Sequence, residues 1–316
     1  MDKLSQILKG TNNRPEDILR SIWRYRALYF MLVPGVIYYI TFRYGPMYGA
    51  VIAFKDYSVM DGIWKSPWAN PWYKHFEYFF RSPYFLQLMT NTFLISLYKM
   101  FAAIPLSIFM AVALSEVGNI RFRRVIQTIT YLPHFLSWVI IYGILFAFMS
   151  ETHGLINMIL KQRGFNSINF LSSLSWFRSI LVGSEVWKDT GWGAIIYIAA
   201  IMGIDTTLYE AAKMDGAKRI QIIWHVTLPC IRNVIIVLLL LRLGNILDAG
   251  FEQIYVMYNI HVYPVADIID TWVFRTGLQQ WNFSLASAVG LFKSFIGITL
   301  IVTVNRLARS WGESLW

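Results

Sequence analysis

One cysteine, Cys230, stands in a chain of 316 residues, so no internal disulfide is open to it, and five scattered histidines lack the spacing of a zinc or haem site. Metal and redox roles are disfavoured on that count. Charge is scarce as well: Asp, Glu, Lys and Arg make up 15% of the residues against 56% hydrophobic and 17% aromatic. That is too little polar surface for a soluble protein of this size. No Walker A loop, G-x-S-x-G elbow, H-E-x-x-H pair or flanked pair of intramembrane aspartates occurs, which argues against an ATP-splitting or hydrolytic enzyme. Low-complexity tracts and short internal repeats are missing too. The opening MDKLSQILKGTNNRPEDILRSIWRYR is polar for too long to be a secretory signal, and no small-residue cleavage site follows, so nothing is expected to be removed. Acidic residues are outnumbered 18 to 28, giving a net charge of +10. The basic residues are dispersed among apolar runs instead of forming a solvated stripe, so nucleic acid is not implied.

What the chain does have is a series of apolar runs near or above the roughly 20 residues that a helix needs to cross a bilayer core. Crossings are predicted near 27 to 44, 91 to 115, 125 to 149, 179 to 202, 230 to 249 and 283 to 305. The reading is an all-α polytopic membrane protein with six transmembrane helices: an N-terminal segment 1 to 26, a membrane domain 27 to 305 and a tail 306 to 316. An even number of crossings puts both termini on one side. Lys3, Lys9, Arg14, Arg20, Arg24 and Arg26, then Arg121, Arg123 and Arg124, then Lys213, Lys218, Arg219 and Arg232 fall on that side, concentrated in short loops. By the positive-inside rule it is the cytoplasmic one. An amphipathic helix is expected around 15 to 24.

The loop after the first crossing alternates aromatics with Pro and Gly. Trp64, Trp68, Trp72, Tyr73, Phe76, Tyr78, Phe79 and Phe80 suit an aromatic belt in the headgroup layer or a docking surface for an extracytoplasmic partner.

The most informative stretch is DTTLYEAAKMDGAKRIQIIWHVTLP, from Asp205 to Pro229. Thr207 and Glu210 have the spacing of a capping box, which predicts a helix from near Leu208 through Met214. Asp215 and Gly216 then reverse the chain, because Gly takes a positive φ freely and Asp bonds its own local backbone. A second helix with Ile220, Ile223 and Val226 on one face is expected to stop at Leu228 and Pro229. Ala211 and Ala212 keep the first helix slim, fit for a groove on another protein.

Glu210, Ala211, Ala212, Asp215, Gly216, Ala217, Val226, Leu228 and Pro229 resemble, at matching spacing, the signature of the inner-membrane permeases of binding-protein-dependent ABC importers. The 30-residue lead, the aromatic outer loop, Tyr131-Leu132-Pro133 and the terminal GESLW are similar to the saccharide branch, to the polysaccharide and complex-oligosaccharide permeases of the lipoprotein-sugar-binding and alginate-importer type. The resemblance implies a type I permease fold, six spans with a five-helix core, in the bacterial inner membrane. It also implies that the 205 to 229 element is a coupling helix that docks on an ATPase subunit. The partners implied are a second, different permease, two ATPase subunits that use ATP and Mg, an extracytoplasmic solute-binding protein and a saccharide, acidic ones included, with no cofactor held by this chain.

Ionisable groups inside spans are path candidates, because each would cost on the order of 3 kcal/mol facing lipid. Lys99, Arg242, Asp248, Glu252 and Lys293 lie within or at the ends of spans, and Glu185, Lys188 and Asp189 at the start of the fourth. Asp248 and Glu252, one helical turn apart after Asn245, make either a polar wall for sugar hydroxyls or an interfacial pair. Lys99 and Lys293 suit substrate contact or a structural ion pair equally. Trp138, Trp187, Trp192 and Tyr197 could stack on sugar rings or simply pack. The rival function is an ion-coupled secondary transporter, which has no use for the 205 to 229 element.

Overall fold

The computed structural model describes residues 23–310. The expected helix around 15 to 24 lies almost wholly outside that range, as does GESLW. Among the described residues the regular structure is helical, apart from an isolated antiparallel bridge between Lys55 and Trp68.

The first helix, α1 (Arg26–Phe54), is apolar along its length, and the window that qualifies it as a crossing has 0% of its residues buried. Among the described residues its last turns, Tyr48–Phe54, pack on the final helix and on the short helices Gly62–Lys65 and Lys74–Arg81. After a short helix α2 (Lys74–Arg81) comes α3 (Phe85–Ser115), whose buried positions Leu88, Asn91, Ile95, Lys99, Ala103, Ser107 and Ala111 recur at three- and four-residue steps. Polar groups share that inward stripe while Phe93, Phe101 and Phe109 point out, the arrangement a lipid solvent favours. The chain goes on through α4 (Ile120–Phe135), α5 (Trp138–Met149), α6 (Leu155–Gln162) and α7 (Phe177–Met202). Helices α3 and α7 make the most extensive contact in the molecule. They run side by side in one direction, with Arg178 donating to Asn91 Oδ1 (2.6 Å) near their starts and Ser107 Oγ donating to the Thr190 carbonyl (3.2 Å) further along.

Beyond α7 lie α8 (Thr206–Met214), α9 (Arg219–Cys230), α10 (Arg232–Gly244), α11 (Phe251–Met257), α12 (Ile269–Phe274) and α13 (Phe283–Ser310). Helices α1, α3 and α13 are each long and apolar enough to cross a membrane, and up to six crossings result if α4 with α5, α7 with α8 and α9 with α10 each count as one. Within the 26 residues of α7, Glu185, Lys188 and Asp189 interrupt the apolar run. Each of these three charges has a partner inside the bundle: Glu185 pairs with Lys99, Asp189 with His134, and Lys188 donates to two carbonyls.

Three sequence expectations are corrected. The crossing expected at 125 to 149 is two helices bent by 103° at Leu136 and Ser137. The break is held by Lys188 of α7, whose ammonium donates to the carbonyls of His134 (2.6 Å) and Leu136 (2.5 Å), so the carbonyls that the bend exposes are satisfied from another helix. The crossing expected at 230 to 249 ends at Gly244 and gives way to a turn. Phe79, assigned to the aromatic belt, is 1% exposed and packs with Leu88, Ile269, Trp272, Leu285 and Val289, whereas Trp64, Trp68, Trp72 and Tyr78 are exposed.

Candidate functional site

Residues 205–229 fold as a short helix, a reversal and a second helix on the surface, as the sequence predicts in outline. The details differ. Asp205, not Thr207, is the N-cap: its Oδ1 accepts from the Thr207 backbone N–H at 2.9 Å, and this bond holds the Asp205 carboxyl below its ordinary value. The helix therefore starts at Thr206, two residues before the capping-box reading put it. At its other end the Gly216 N–H donates to the Lys213 carbonyl and the Ala217 N–H to the Ala212 carbonyl, both at 3.0 Å. With Gly216 at φ +77° this is a Schellman closure.

Leu228 and Pro229 do not stop the second helix. A π turn at Ile223–Thr227, closed by the Leu228 N–H on the Ile223 carbonyl, precedes Pro229. Proline lacks an N–H and crowds the carbonyl four residues back, and the wider turn relieves both problems. The same device precedes Pro46, where a π turn covers Ile40–Tyr44. The helix breaks instead at Ile231, where α9 and α10 meet at 59°. The inner face is Ile222, Ile223 and Thr227, while Ile220, expected inward, is exposed. Tyr209 and Thr227 meet at 3.3 Å between their hydroxyls and tie α8 to α9, which continues into α10. Glu210, Ala211, Asp215, Gly216 and Pro229 are exposed and Ala212, Ala217, Val226 and Leu228 half-buried, so the motif presents a surface that is open but mechanically linked to a long helix.

A cavity of about 510 Å³ opens between α3, α7, α10 and the turn at 245–250. Lys99, Asn245 and Asp248 stand on its wall, joined by Glu185, Asp189, Arg242, Ser107 and Tyr197. Lys99 is the hub. Its buried ammonium donates to the Ala249 carbonyl at 2.8 Å, to Gln253 Oε1, and to Glu185 Oε2 at 3.3 Å. Gln253 in turn donates to the Leu181 carbonyl (2.8 Å) and Ser184 Oγ (2.9 Å). Gly250 passes Lys99 with φ +87°, which calls for glycine, and a Cβ there would sit 2.8 Å from the ammonium and push it from its place. Beside this network Asp189 pairs with His134 at 2.7 Å, and the His134 ring stacks on Trp192 with centroids 4.5 Å apart.

The other sequence candidates lie elsewhere. Trp138 is buried in the core with the Lys188 ammonium 5.4 Å over its ring. Trp187 lines a separate apolar cleft with Trp176 and Ile141. Lys293 pairs with Asp270 at 2.6 Å, tying α13 to α12. Glu252 does not share a helical face with Asp248: the left-handed Gly250 separates them, Glu252 belongs to α11 and is exposed away from the cavity, and Asp248 sits in the turn. Gln253 and Ser184 were missed. The signal for them was weak, since a neutral amide in an apparent loop and a serine in an apolar helix attract no attention singly. The small polar positions Ser96 and Ser107, set on the same stripe of α3 as Lys99, were the better clue.

At the opposite end from α8, Asp267 is held by Arg275 at 2.6 Å, whose guanidinium lies 4.7 Å over Tyr263. Burial works against the Arg275 charge, but the Asp267 carboxylate outweighs it and holds the group above its ordinary value. Burial, and then the bond to Tyr263, push the Tyr258 hydroxyl up to about 12.

The family described as "Binding-protein-dependent transport system inner membrane component" matches residues 103–311. The polygalacturonan/rhamnogalacturonan transport system permease protein YteP of Bacillus subtilis is 43% identical over 296 residues, which cover 94% of this chain and 92% of that one. A crystal structure of a bacterial ABC transporter involved in the import of the acidic polysaccharide alginate contains a chain with a TM-score of 0.85 and 37% identity, over 93% of this chain and 99% of that one. A second, of the bacterial alginate ABC transporter in complex with alginate pentasaccharide-bound periplasmic protein, gives a TM-score of 0.85 and 38% identity over 93% and 98%.

Proposed function

The chain belongs to the inner-membrane components of binding-protein-dependent transport systems, and on that premise we propose that it is the permease half of an ATP-driven importer for oligosaccharides or polysaccharide fragments. The saccharide reading is supported by YteP, named for polygalacturonan and rhamnogalacturonan, and by the alginate transporter. The observation that carries the mechanism is the exposed helix, Schellman turn and helix at 205–229, continuous through the Tyr209 to Thr227 contact with the helix that lines the cavity.

In this reading both termini and the α8 surface are cytoplasmic. Glu210, Ala211, Ala212, Asp215, Gly216 and Ala217 present the surface that an ATPase subunit engages, and Val226, Leu228 and Pro229 pass its displacement through α9 into α10. Two such subunits bind ATP and Mg, and this chain contributes no nucleotide site. The bare face of α1 suits a second permease, because the apolar window of that helix is not buried against any described residue and finds its packing partner elsewhere. Saccharide comes from an extracytoplasmic binding protein and crosses along the polar wall of α3, α7 and α10.

The test is reconstitution in liposomes. The chain with its second permease, ATPase and binding protein takes up oligosaccharide only when ATP is supplied to the α8 side, and the chain alone does not respond to an ion gradient. Gradient-driven uptake by the chain alone would establish the ion-coupled carrier instead.

A further inference from the structure

Two polar clefts mark this chain. One is the cavity already described; the other, about 820 Å³, lies on α2, the start of α3 and the segment 263–285. Five cations stand on their walls: Lys99 and Arg242 in the first, Lys74, Arg81 and Arg275 in the second. Four are matched with carboxylates, Lys99 with Glu185, Lys74 with Asp56 (2.8 Å), Arg81 with Glu77 (2.7 Å) and Arg275 with Asp267 (2.6 Å). Among the described residues Arg242 has neither an ion pair nor a side-chain hydrogen bond, and its side chain is exposed to the cavity.

A guanidinium at membrane depth with no counter-ion faces water or a ligand, since lipid penalises it heavily. The carboxylates that share its cavity are engaged or set apart: Glu185 by Lys99, Asp189 by His134, and Asp248 with one oxygen on the Gly250 N–H at 3.3 Å. Arg242, Asn245 and Asp248 follow at three-residue steps from the last turn of α10 into the turn beyond it, all on the cavity wall. Asn245 spends its amide N–H on the Leu241 carbonyl (3.2 Å), which leaves its oxygen as an acceptor. The wall thus offers one planar cation with five N–H donors beside two acceptors. A guanidinium fork matches a carboxylate, and lone acceptors match hydroxyls.

We propose that Arg242 reads a carboxylate on the cargo, so that the saccharide carried is a uronide and Asn245 and Asp248 accept its hydroxyls. This rests on the saccharide-importer reading above.

The test uses the assembled importer in proteoliposomes with two probes of one shape, trigalacturonate and its methyl ester. Wild type takes up the acid. R242Q lowers that uptake by about ten- to a hundredfold, R242K by less, because a point cation keeps the charge but loses the fork. Co-purification of the second permease stays at the wild-type level in both variants. Acid uptake by R242Q within about twofold of wild type overturns the inference. So does loss of the second permease from the R242Q complex, which would make Arg242 a subunit-pairing residue. Wild-type uptake of the ester but not the acid overturns this inference and leaves saccharide import standing, and so does uptake of neither when a neutral oligosaccharide is taken up instead.

Discussion

Gly216 is the position at which turn geometry and transport are most directly connected. Its φ of +77° is in the left-handed region, and a Cβ built there meets nothing within 4 Å, so a side chain is opposed by backbone conformation and not by neighbours in this chain. An L-residue in that region costs about 1 kcal/mol as Ala and about 2 kcal/mol as a β-branched residue, while Asn is tolerated. The helix it closes has nine residues and is exposed, too short to be stable without its closures and the Tyr209 to Thr227 contact. The ratio of formed to unformed turn therefore falls by about fivefold in G216A and about thirtyfold in G216V. In proteoliposomes holding the assembled importer, saccharide taken up per ATP hydrolysed should fall in the order Gly, Asn, Ala, Val, with insertion unchanged. Side-chain size would give another order, with Asn worse than Ala, if crowding against the ATPase groove decided the outcome. Either that order or wild-type coupling in G216V would refute the conformational account.

Three further outcomes are expected. Replacing Lys99 in K99M leaves the Glu185 carboxylate, Gln253 Oε1 and the Ala249 carbonyl unmatched in a site where the Lys99 side chain is 5% exposed. About 3 kcal/mol of stability should be lost, and K99M/E185Q should be less destabilised than the sum of the single variants; strict additivity in thermal unfolding would contradict the hub role. K188M removes the donor to the His134 and Leu136 carbonyls and should cost about 2 kcal/mol, with proteolysis at 136–137 accelerated, and an unchanged cleavage rate would show that the break holds itself. The Asp205 cap depends on pH. Its carboxyl is held below the ordinary value of 3.8 by the Thr207 N–H, so the cap contributes above the unfolded-state value and is lost as pH falls through the lower folded-state one. A spin label at Lys213 should become mobile below that pH in wild type but not in D205N, and the same titration in both would remove Asp205 from the account.

What could be read from the sequence was local. The apolar runs and the 205–229 motif are matters of spacing within one segment, and both appear in the structure with shifted ends: Asp205 caps where Thr207 was expected, and a π turn carries the helix through Pro229. What could not be read depends on partners far along the chain. The 103° break after Phe135 is stabilised by Lys188, 52 residues beyond Leu136, and the turn that detaches Asp248 from Glu252 is held by Lys99, 150 residues before Ala249. A lone intramembrane charge is equally compatible with scaffold and path, which is why Lys99, Lys293 and Asp248 read alike in sequence. Geometry separates them by what each has already bonded. Lys99 and Lys293 have their anions, and Lys188 has its carbonyls; their polar capacity is spent in holding helices together. Arg242, Asn245 and Asp248 retain unused fork or acceptor atoms on the cavity wall. Since a charge at membrane depth persists only where something balances it, the proposed cargo carboxylate balances Arg242 alone, while Asn245 and Asp248 offer acceptors to hydroxyls.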